Sequence, residues 1–229
     1  MLVHRFTAPG ALAVVAAALL AGGCGGGSSK DTAAAPSSGV DASKVCGGAL
    51  DSAASKALRR LADADRFDGS GGANEAGGSG TFSVQNVVGH LHDEYSKREA
   101  CWVYKSGDDS GDPLLEIRFS ASRTYPTASA EESAVEGVSF PVGVYARVGT
   151  SGADLFFRCS TKAPSAGAYV GDTKYVKAEL FSPAGKIRGD SAARDRITVL
   201  NSVSRLVAQK AGCASEADLP MSPSWPDSA

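Results

Sequence analysis

Residues 114–122, with the sequence LLEIRFSAS, contain the clearest secondary-structure signal in this chain. From Leu115 to Ser122, apolar and polar side chains alternate, and a period of two is typical of a strand with one buried face. Four other stretches are β-prone or alternate in the same way, and they span residues 101–105, 140–148, 154–160 and 174–181. Because single-sided alternation with short connections favours antiparallel pairing, the sequence predicts an antiparallel sheet of about five strands.

Two segments with helical periodicity precede these strands. In residues 49–66 and 84–95, apolar side chains recur every three or four positions, as they do on one face of a helix. Thr81 or Ser83 can cap the second helix, because a hydroxyl there accepts a hydrogen bond from the first turn. Residues 68–80 are rich in glycine and lack a phosphate-loop motif, so we expect a flexible loop there.

A third helix is predicted after the strands. Its apolar stripe runs from Ile197 to Ala211, and Asp190 or Ser191 can cap its start. Gly212 stands where a left-handed C-cap is expected. Taken together, the segments predict an α+β domain of two layers, in which N- and C-terminal helices cover one face of the sheet.

The cysteines after the N-terminal segment predict two disulfides, because their number is even and that segment, described below, looks like an export signal. They are Cys46, Cys101, Cys159 and Cys213. A zinc site is disfavoured, since such sites pair their ligands at close spacing. Spacing alone leaves all three pairings open. The expected layout favours Cys46–Cys213, at the ends of two antiparallel helices, and Cys101–Cys159, at one end of a strand meander.

The N-terminus has the features of a bacterial lipoprotein signal. An apolar run at residues 11–20 is too short to span a bilayer, and it leads into LLAGGC at residues 19–24, which looks like a lipobox. We therefore expect a signal peptide over residues 1–23 and a lipid, including palmitate, on Cys24. The alternative is plain secretion with cleavage near Gly23.

The remaining chain divides by composition. Residues 24–44 are small and polar and predict a flexible tether with a reach of about 25 Å. Residues 45–213 have the length of one domain with a real core, and residues 214–229 are rich in proline and serine and predict a disordered tail. This organisation predicts a domain anchored by lipid at the extracytoplasmic face of the cell membrane.

Several further stretches accompany the lipobox and the tether, namely VCGGAL at 45–50, CWVY at 101–104, LFFRC at 155–159 and NSVSRLVAQKAGC at 201–213. In this combination the chain resembles uncharacterised secreted lipoproteins of actinobacteria, the high-GC Gram-positive bacteria. The resemblance implies a membrane-anchored extracytoplasmic domain, and it brings no activity that can be assigned to particular residues.

Histidine spacing argues against a metal site. His90 and His92 are followed by two acidic residues, which resembles a ligand cluster. On a helix, however, side chains two positions apart are separated by about 200° of rotation around the axis, so the two imidazoles point away from each other. We expect both on a solvated helix face, with no metal and no cofactor.

Charge and motifs exclude several classes of function. The net charge is −2, without the basic patch that nucleic acid binding requires. Neither a GxSxG nor an SxxK motif is found, so nothing indicates an enzyme. We expect a binding or protein-interaction module at the cell envelope, whose partner is an envelope protein or a cell-wall polymer. A cell-envelope hydrolase and a purely structural envelope protein are the alternatives.

The outward face of the predicted sheet is the candidate binding face, because it interleaves aromatic and charged side chains. Its candidate residues are Trp102, Tyr104, Arg118, Tyr145, Arg147, Phe156, Arg158 and Tyr175, accompanied by Glu116, Lys177 and Glu179. Such a face can stack on sugar rings or accept an anionic polymer. The alternative is that these residues form cross-strand pairs that only stabilise a solvated sheet.

Overall fold

The computed structural model describes residues 39–70, 82–127, 137–187 and 192–223. They form the predicted α+β fold with one antiparallel sheet, but the sheet has eight strands rather than about five. The strands are β1 (Val40–Asp41), β2 (Arg66–Ser70), β3 (Ala100–Lys105), β4 (Leu115–Ser122), β5 (Val138–Ser139), β6 (Tyr145–Val148), β7 (Gly152–Thr161) and β8 (Thr173–Phe181). The helices are α1 (Ser52–Ala62), α2 (Val84–Gly89), α3 (Ala192–Lys210) and α4 (Ala214–Ala217), with 3₁₀ turns at Ala42–Lys44, Cys46–Gly48 and Tyr95–Lys97.

The strands follow the order β1-β2-β3-β4-β8-β7-β6-β5, and every neighbouring pair is antiparallel. Three of them, β1, β2 and β5, lie outside the five predicted stretches. β2 occupies the junction of the predicted first helix and the predicted glycine-rich loop. Its Phe67 is fully buried and pairs with Lys105 of β3. Burial of this one aromatic ring explains why a mostly polar segment forms an additional strand.

The predicted strand at residues 140–148 is interrupted, and only its second half is β6. Pro141 has no N–H to donate to a ladder, and Gly143 adopts a φ of +64°. A Cβ at Gly143 would lie 2.2 Å from the carbonyl oxygen of Phe156, so only glycine allows β7 to approach here. The chain therefore turns between residues 140 and 144, and β5 becomes a separate edge strand.

One face of the sheet forms the core against α1 and α3, as the alternation predicts. The predicted inward residues of β4, β7 and β8 are all buried, namely Leu115, Ile117, Phe119, Ala121, Leu155, Phe157, Cys159, Val176, Ala178 and Leu180. The apolar stripe of α3 is buried from Ile197 to Val207, and Gly212 has the left-handed φ of +77° expected after the helix. Within the described residues, no helix is long and apolar enough to cross a membrane.

α2 is shorter than predicted, and this changes the position of the residues after it. Ser83 caps the helix through a 3.1 Å bond from the Asn86 amide, but the helix ends at Gly89. Glycine is a poor helix former, and the chain leaves the helical path there. His92 is consequently buried, with Nδ1 2.9 Å from the carbonyl oxygen of Val170. The prediction of a solvated helix face is wrong for His92, whereas His90 is exposed and pairs with Asp93.

Ordered structure extends beyond both predicted domain boundaries. On the N-terminal side, β1 pairs with β2, Ala42 is fully buried, and the Asp41 carboxylate pairs with Arg59 of α1. On the C-terminal side, Ala217 is buried and the Asn201 side chain donates to the carbonyl oxygen of Pro220 over 2.8 Å. Residues 39–44 and 214–223 thus belong to the fold. The predicted signal peptide, Cys24, the rest of the tether and residues 224–229 lie outside the described residues.

The two disulfides are Cys46–Cys101 and Cys159–Cys213, with Cα–Cα distances of 5.3 and 5.2 Å. Two disulfides are as predicted, but the favoured pairing is wrong. α1 and α3 are antiparallel, since Arg60 pairs with Asp195 at one end and the Ser202 hydroxyl accepts from the Asp51 amide at the other.

Helix length explains the error in pairing. α3 has 19 residues and α1 has 11, so α3 continues past the start of α1, and at 1.5 Å per residue its end at Lys210 lies about 12 Å beyond Ser202. Cys101 and Cys159 are also kept apart, because β4 and β8 lie between β3 and β7, which separates those strands by about 14 Å.

Candidate functional site

The candidate site is the outer face of the sheet, which points away from α1 and α3. The backbone register arranges its side chains in rows that cross four strands. One row consists of Arg118, Glu179, Asp154 and Arg147, and the next consists of Ser120, Lys177, Phe156 and Tyr145. By alternation from the buried residues, all eight candidate residues lie on this face, but the structure gives them very different surroundings.

Arg118 lies beneath the surface of this face. Its side chain is only 4% exposed and pairs with Glu116. The guanidinium also donates to the carbonyl oxygens of Tyr95 and Arg98 over 3.4 and 3.5 Å. The 3₁₀ turn at Tyr95–Lys97 therefore covers Arg118, which makes this arginine a buried support of the face and not a contact offered to a ligand.

Lys177 lies at the centre of the face and joins two strands. Its Nζ pairs with Glu179 on its own strand and lies 3.2 Å from the Asp154 carboxylate on β7. Burial lowers the pKa of Lys177, but the hydrogen bonds and charges of Glu179 and Asp154 outweigh burial and raise it. Lys177 thus stays cationic and is neutralised within the face.

Aromatic pairs fix two parts of the face. Tyr145 and Phe156 are direct cross-strand partners, with ring centres 5.7 Å apart in an edge-to-face arrangement. Phe156 is buried beneath its neighbours, and Lys177 Nζ lies 5.6 Å from the ring centre. Tyr175 packs edge-to-face on Tyr125 at 5.0 Å. The Tyr145–Phe156 pair is of the cross-strand kind described by the alternative considered from the sequence.

The remaining candidate residues lie around the edges. Trp102 and Tyr104 are half-buried on β3, where Trp102 is the partner of Glu116. Arg147 is half-buried opposite Asp154, and Arg158 is exposed opposite Tyr175. The structure therefore brings Arg118, Tyr145, Arg147 and Phe156 into one region, and it leaves Arg158 with Tyr175 near the opposite end of β8.

Two aromatic residues that the sequence reasoning did not select are also accessible on this face. Tyr95 is 48% exposed and Phe181 is 50% exposed. Tyr95 is the last residue of the second predicted helix, at residues 84–95, but α2 ends before it. Phe181 continues the outward alternation of Tyr175, Lys177 and Glu179 by one step, so that signal was present in the sequence.

Phe181 separates two adjoining cavities of about 370 Å³ each. The first is lined by Tyr95, Glu116, Arg118, Glu179 and Phe181. The second shares Glu179 and Phe181 and adds Tyr145, Arg147 and the β6–β7 turn with Asp154. We call the two cavities together the Phe181 cleft. Each volume falls at the lower end of the range for small-ligand pockets, about 300–1,000 Å³.

The chemistry available in the cleft is hydrogen bonding and stacking. Carboxylate oxygens of Glu116, Asp154 and Glu179 accept hydrogen bonds, and Tyr95 and Phe181 present ring surfaces. In the part of the chain that the structure describes, no group of three or more histidine, cysteine, aspartate or glutamate residues is arranged to hold a metal ion.

Comparison with known proteins adds no constraint on this assignment. No protein-family model matches the chain, and neither a curated protein nor a solved structure matches it.

Proposed function

We propose that this chain is a lipid-anchored extracytoplasmic lipoprotein and that its domain is a binding module whose ligand site is the Phe181 cleft. The lipobox at residues 19–24 and the small, polar segment after it support the anchor. The sheet face supports the binding role. In this proposal the domain is held at the cell envelope with the cleft facing outward.

One observation supports the binding role above all others. Two large aromatic side chains, Tyr95 and Phe181, remain about half exposed on either side of a cavity, although aromatic surface is usually buried where packing allows. On the same face, Phe156 is buried and Tyr175 packs on Tyr125. Exposed apolar surface next to polar groups is a frequent mark of a binding site.

The binding role is tested with envelope material and the full chain. Lipid-extracted cell envelope from an actinobacterium is incubated with the chain purified in detergent, so that the lipid anchor cannot account for retention. The double variant Tyr95→Ala/Phe181→Ala should lose retention. Leu206→Ala, which removes an exposed apolar side chain from α3, should retain it. Equal retention of both variants would contradict the site, and no retention of the unaltered chain would contradict the function.

The anchor is tested separately. Cys24→Ala should release the protein from the membrane fraction or stop it as an uncleaved precursor, and radiolabelled palmitate should enter the unaltered chain alone. Equal labelling of Cys24→Ala would show that the lipid is attached elsewhere. This result bears on the location of the domain and not on the cleft.

A further inference from the structure

The charges around the Phe181 cleft are balanced, and this restricts what the cleft can bind. Glu116, Asp154 and Glu179 line the cleft with three carboxylates, and Arg118 and Arg147 line it with two cations. Lys177, beside the lining, supplies a third cation. Arg118 is paired with Glu116, and Lys177 with both Asp154 and Glu179. A charged polymer of either sign would have to compete with these internal pairs and would meet like charges among them.

The paired groups can still form further hydrogen bonds. A carboxylate has about four acceptor sites, so one contact with a cation leaves others open where the oxygens reach solvent. The Asp154 and Glu179 side chains are 46% and 38% exposed. They can therefore accept hydrogen bonds from neutral hydroxyl or amide donors without losing their cations.

Aromatic walls favour a ligand with flat, weakly polar faces. The face of an aromatic ring carries partial negative charge, and the C–H bonds on one side of a sugar ring carry partial positive charge. Sugar rings also bear hydroxyl groups around their edges, and these groups can donate hydrogen bonds to the carboxylates of the cleft. Tyr95 and Phe181 border the first cavity, and Phe181 and Tyr145 border the second, so the cleft offers successive stacking positions along a chain.

We propose that the Phe181 cleft binds a neutral carbohydrate chain, with sugar units on both sides of Phe181. This inference rests on the proposed function, since it names the ligand class of the same site. Stacking on the rings holds the sugar faces, and Asp154 and Glu179 accept hydrogen bonds from hydroxyl groups. The balanced charges of the cleft select against anionic and cationic polymers.

The test uses the full chain in detergent on a printed array of neutral, anionic and cationic oligosaccharides. Neutral oligosaccharides of three or more units should be bound, and charged ones should not. Phe181→Ala and Phe181→Leu should each weaken this binding by about 2- to 10-fold, since leucine keeps apolar bulk but lacks a ring. Leu206→Ala, at an exposed position of α3 outside the cleft, should bind as the unaltered chain does.

The outcomes separate this inference from the proposed function. Binding of charged oligosaccharides alone, or of none, would overturn the carbohydrate assignment. If retention on envelope still depended on Tyr95 and Phe181 in that case, the proposed function would stand with another ligand. Equal binding by Phe181→Ala and the unaltered chain would also overturn the assignment, because the sugar would then lie elsewhere. Thermal midpoints within a few degrees for all variants would confirm that folding is unchanged.

Discussion

The guanidinium carbon of Arg118 lies 4.3 Å from the centre of the Tyr95 ring. This contact joins the 3₁₀ turn at Tyr95–Lys97 to the middle of the sheet, and the carbonyl oxygen of Tyr95 accepts a hydrogen bond from the same guanidinium. The accessible ring of the cleft is thus supported by a buried arginine. Arg118 positions Tyr95, and we expect its removal to act on stability first.

Arg118→Leu should therefore destabilise the domain strongly. The substitution leaves Glu116, whose side chain is 18% exposed, without its cation, and breaking a mostly buried pair costs about 3–5 kcal/mol. Urea denaturation gives the change in the free energy of unfolding. The double variant Arg118→Leu/Glu116→Gln removes the unpaired charge and should recover part of the loss. A double variant less stable than Arg118→Leu would contradict this account.

Removal of either disulfide should lower the free energy of unfolding by a similar amount. The crosslinks close loops with sequence separations of 55 and 54 residues, and the chain-entropy model assigns about 4 kcal/mol to a loop of this length. The variants Cys46→Ala/Cys101→Ala and Cys159→Ala/Cys213→Ala are compared by urea denaturation. A non-reduced digest should contain peptides that join these same pairs. A peptide that joins Cys46 to Cys213 would disprove the connectivity.

Local periodicity predicted the core because each inward residue depends only on its own strand or helix. The inward positions of the alternating pattern are buried, as at Leu115, Leu155 and Val176. Disulfide pairing depends on relative helix lengths and on strand order, in which β8 lies between β4 and β7. Neither property is encoded in local spacing, and the pairing was accordingly wrong.

The candidate site was predicted as a face, but its accessible part was not. Alternation shows on which side Arg118 and Phe156 lie, and it cannot show that other residues cover them. Tyr95 reaches this face only because α2 ends at Gly89, and a single glycine in a helical pattern does not specify where the chain goes next. Phe181 could have been predicted, since it extends the outward series of residues on β8.

Glu99→Gln should change the pH dependence of stability. Burial raises the pKa of Glu99 above its ordinary 4.5, although hydrogen bonds from the Ser83 backbone and Asn86 and the charge of His90 oppose the shift. The folded state then binds the proton more tightly than the unfolded state, so stability falls as pH rises from about 4.5 through the raised pKa.

Glutamine cannot ionise, so Glu99→Gln should gain stability relative to the unaltered chain between pH 4 and pH 7. Thermal midpoints across this range measure the difference. Glu94→Gln, at a more exposed glutamate in the same segment, serves as the control and should show no such gain. A constant difference between Glu99→Gln and the unaltered chain at all pH values would refute the prediction.

Asp41→Asn should lower the stability of the domain, and this effect should disappear at low pH. Hydrogen bonds from the backbone and side chain of Ser43, and then from Arg59, lower the pKa of Asp41 from 3.8 to about 2. The stability this provides is present above about pH 4 and is lost as pH falls through 2. Asp41→Asn should thus be less stable at pH 5 and approach the unaltered chain near pH 2. Asp65→Asn, at a side chain that is 91% exposed, is the control in denaturant titrations at each pH.

The disulfide between Cys46 and Cys101 also determines how the domain carries mechanical load. A pulling force applied at Gly39 reaches Cys46 along the backbone and crosses the disulfide into β3, so the backbone from residue 47 to residue 100 lies outside the covalent path. β3 passes the force to β4 and β4 passes it to β8, where Phe181 lies. In the proposed function, a ligand on the Phe181 cleft would load this path without extending α1 or α2. Reduction of this one bond would place both helices in the path of the force.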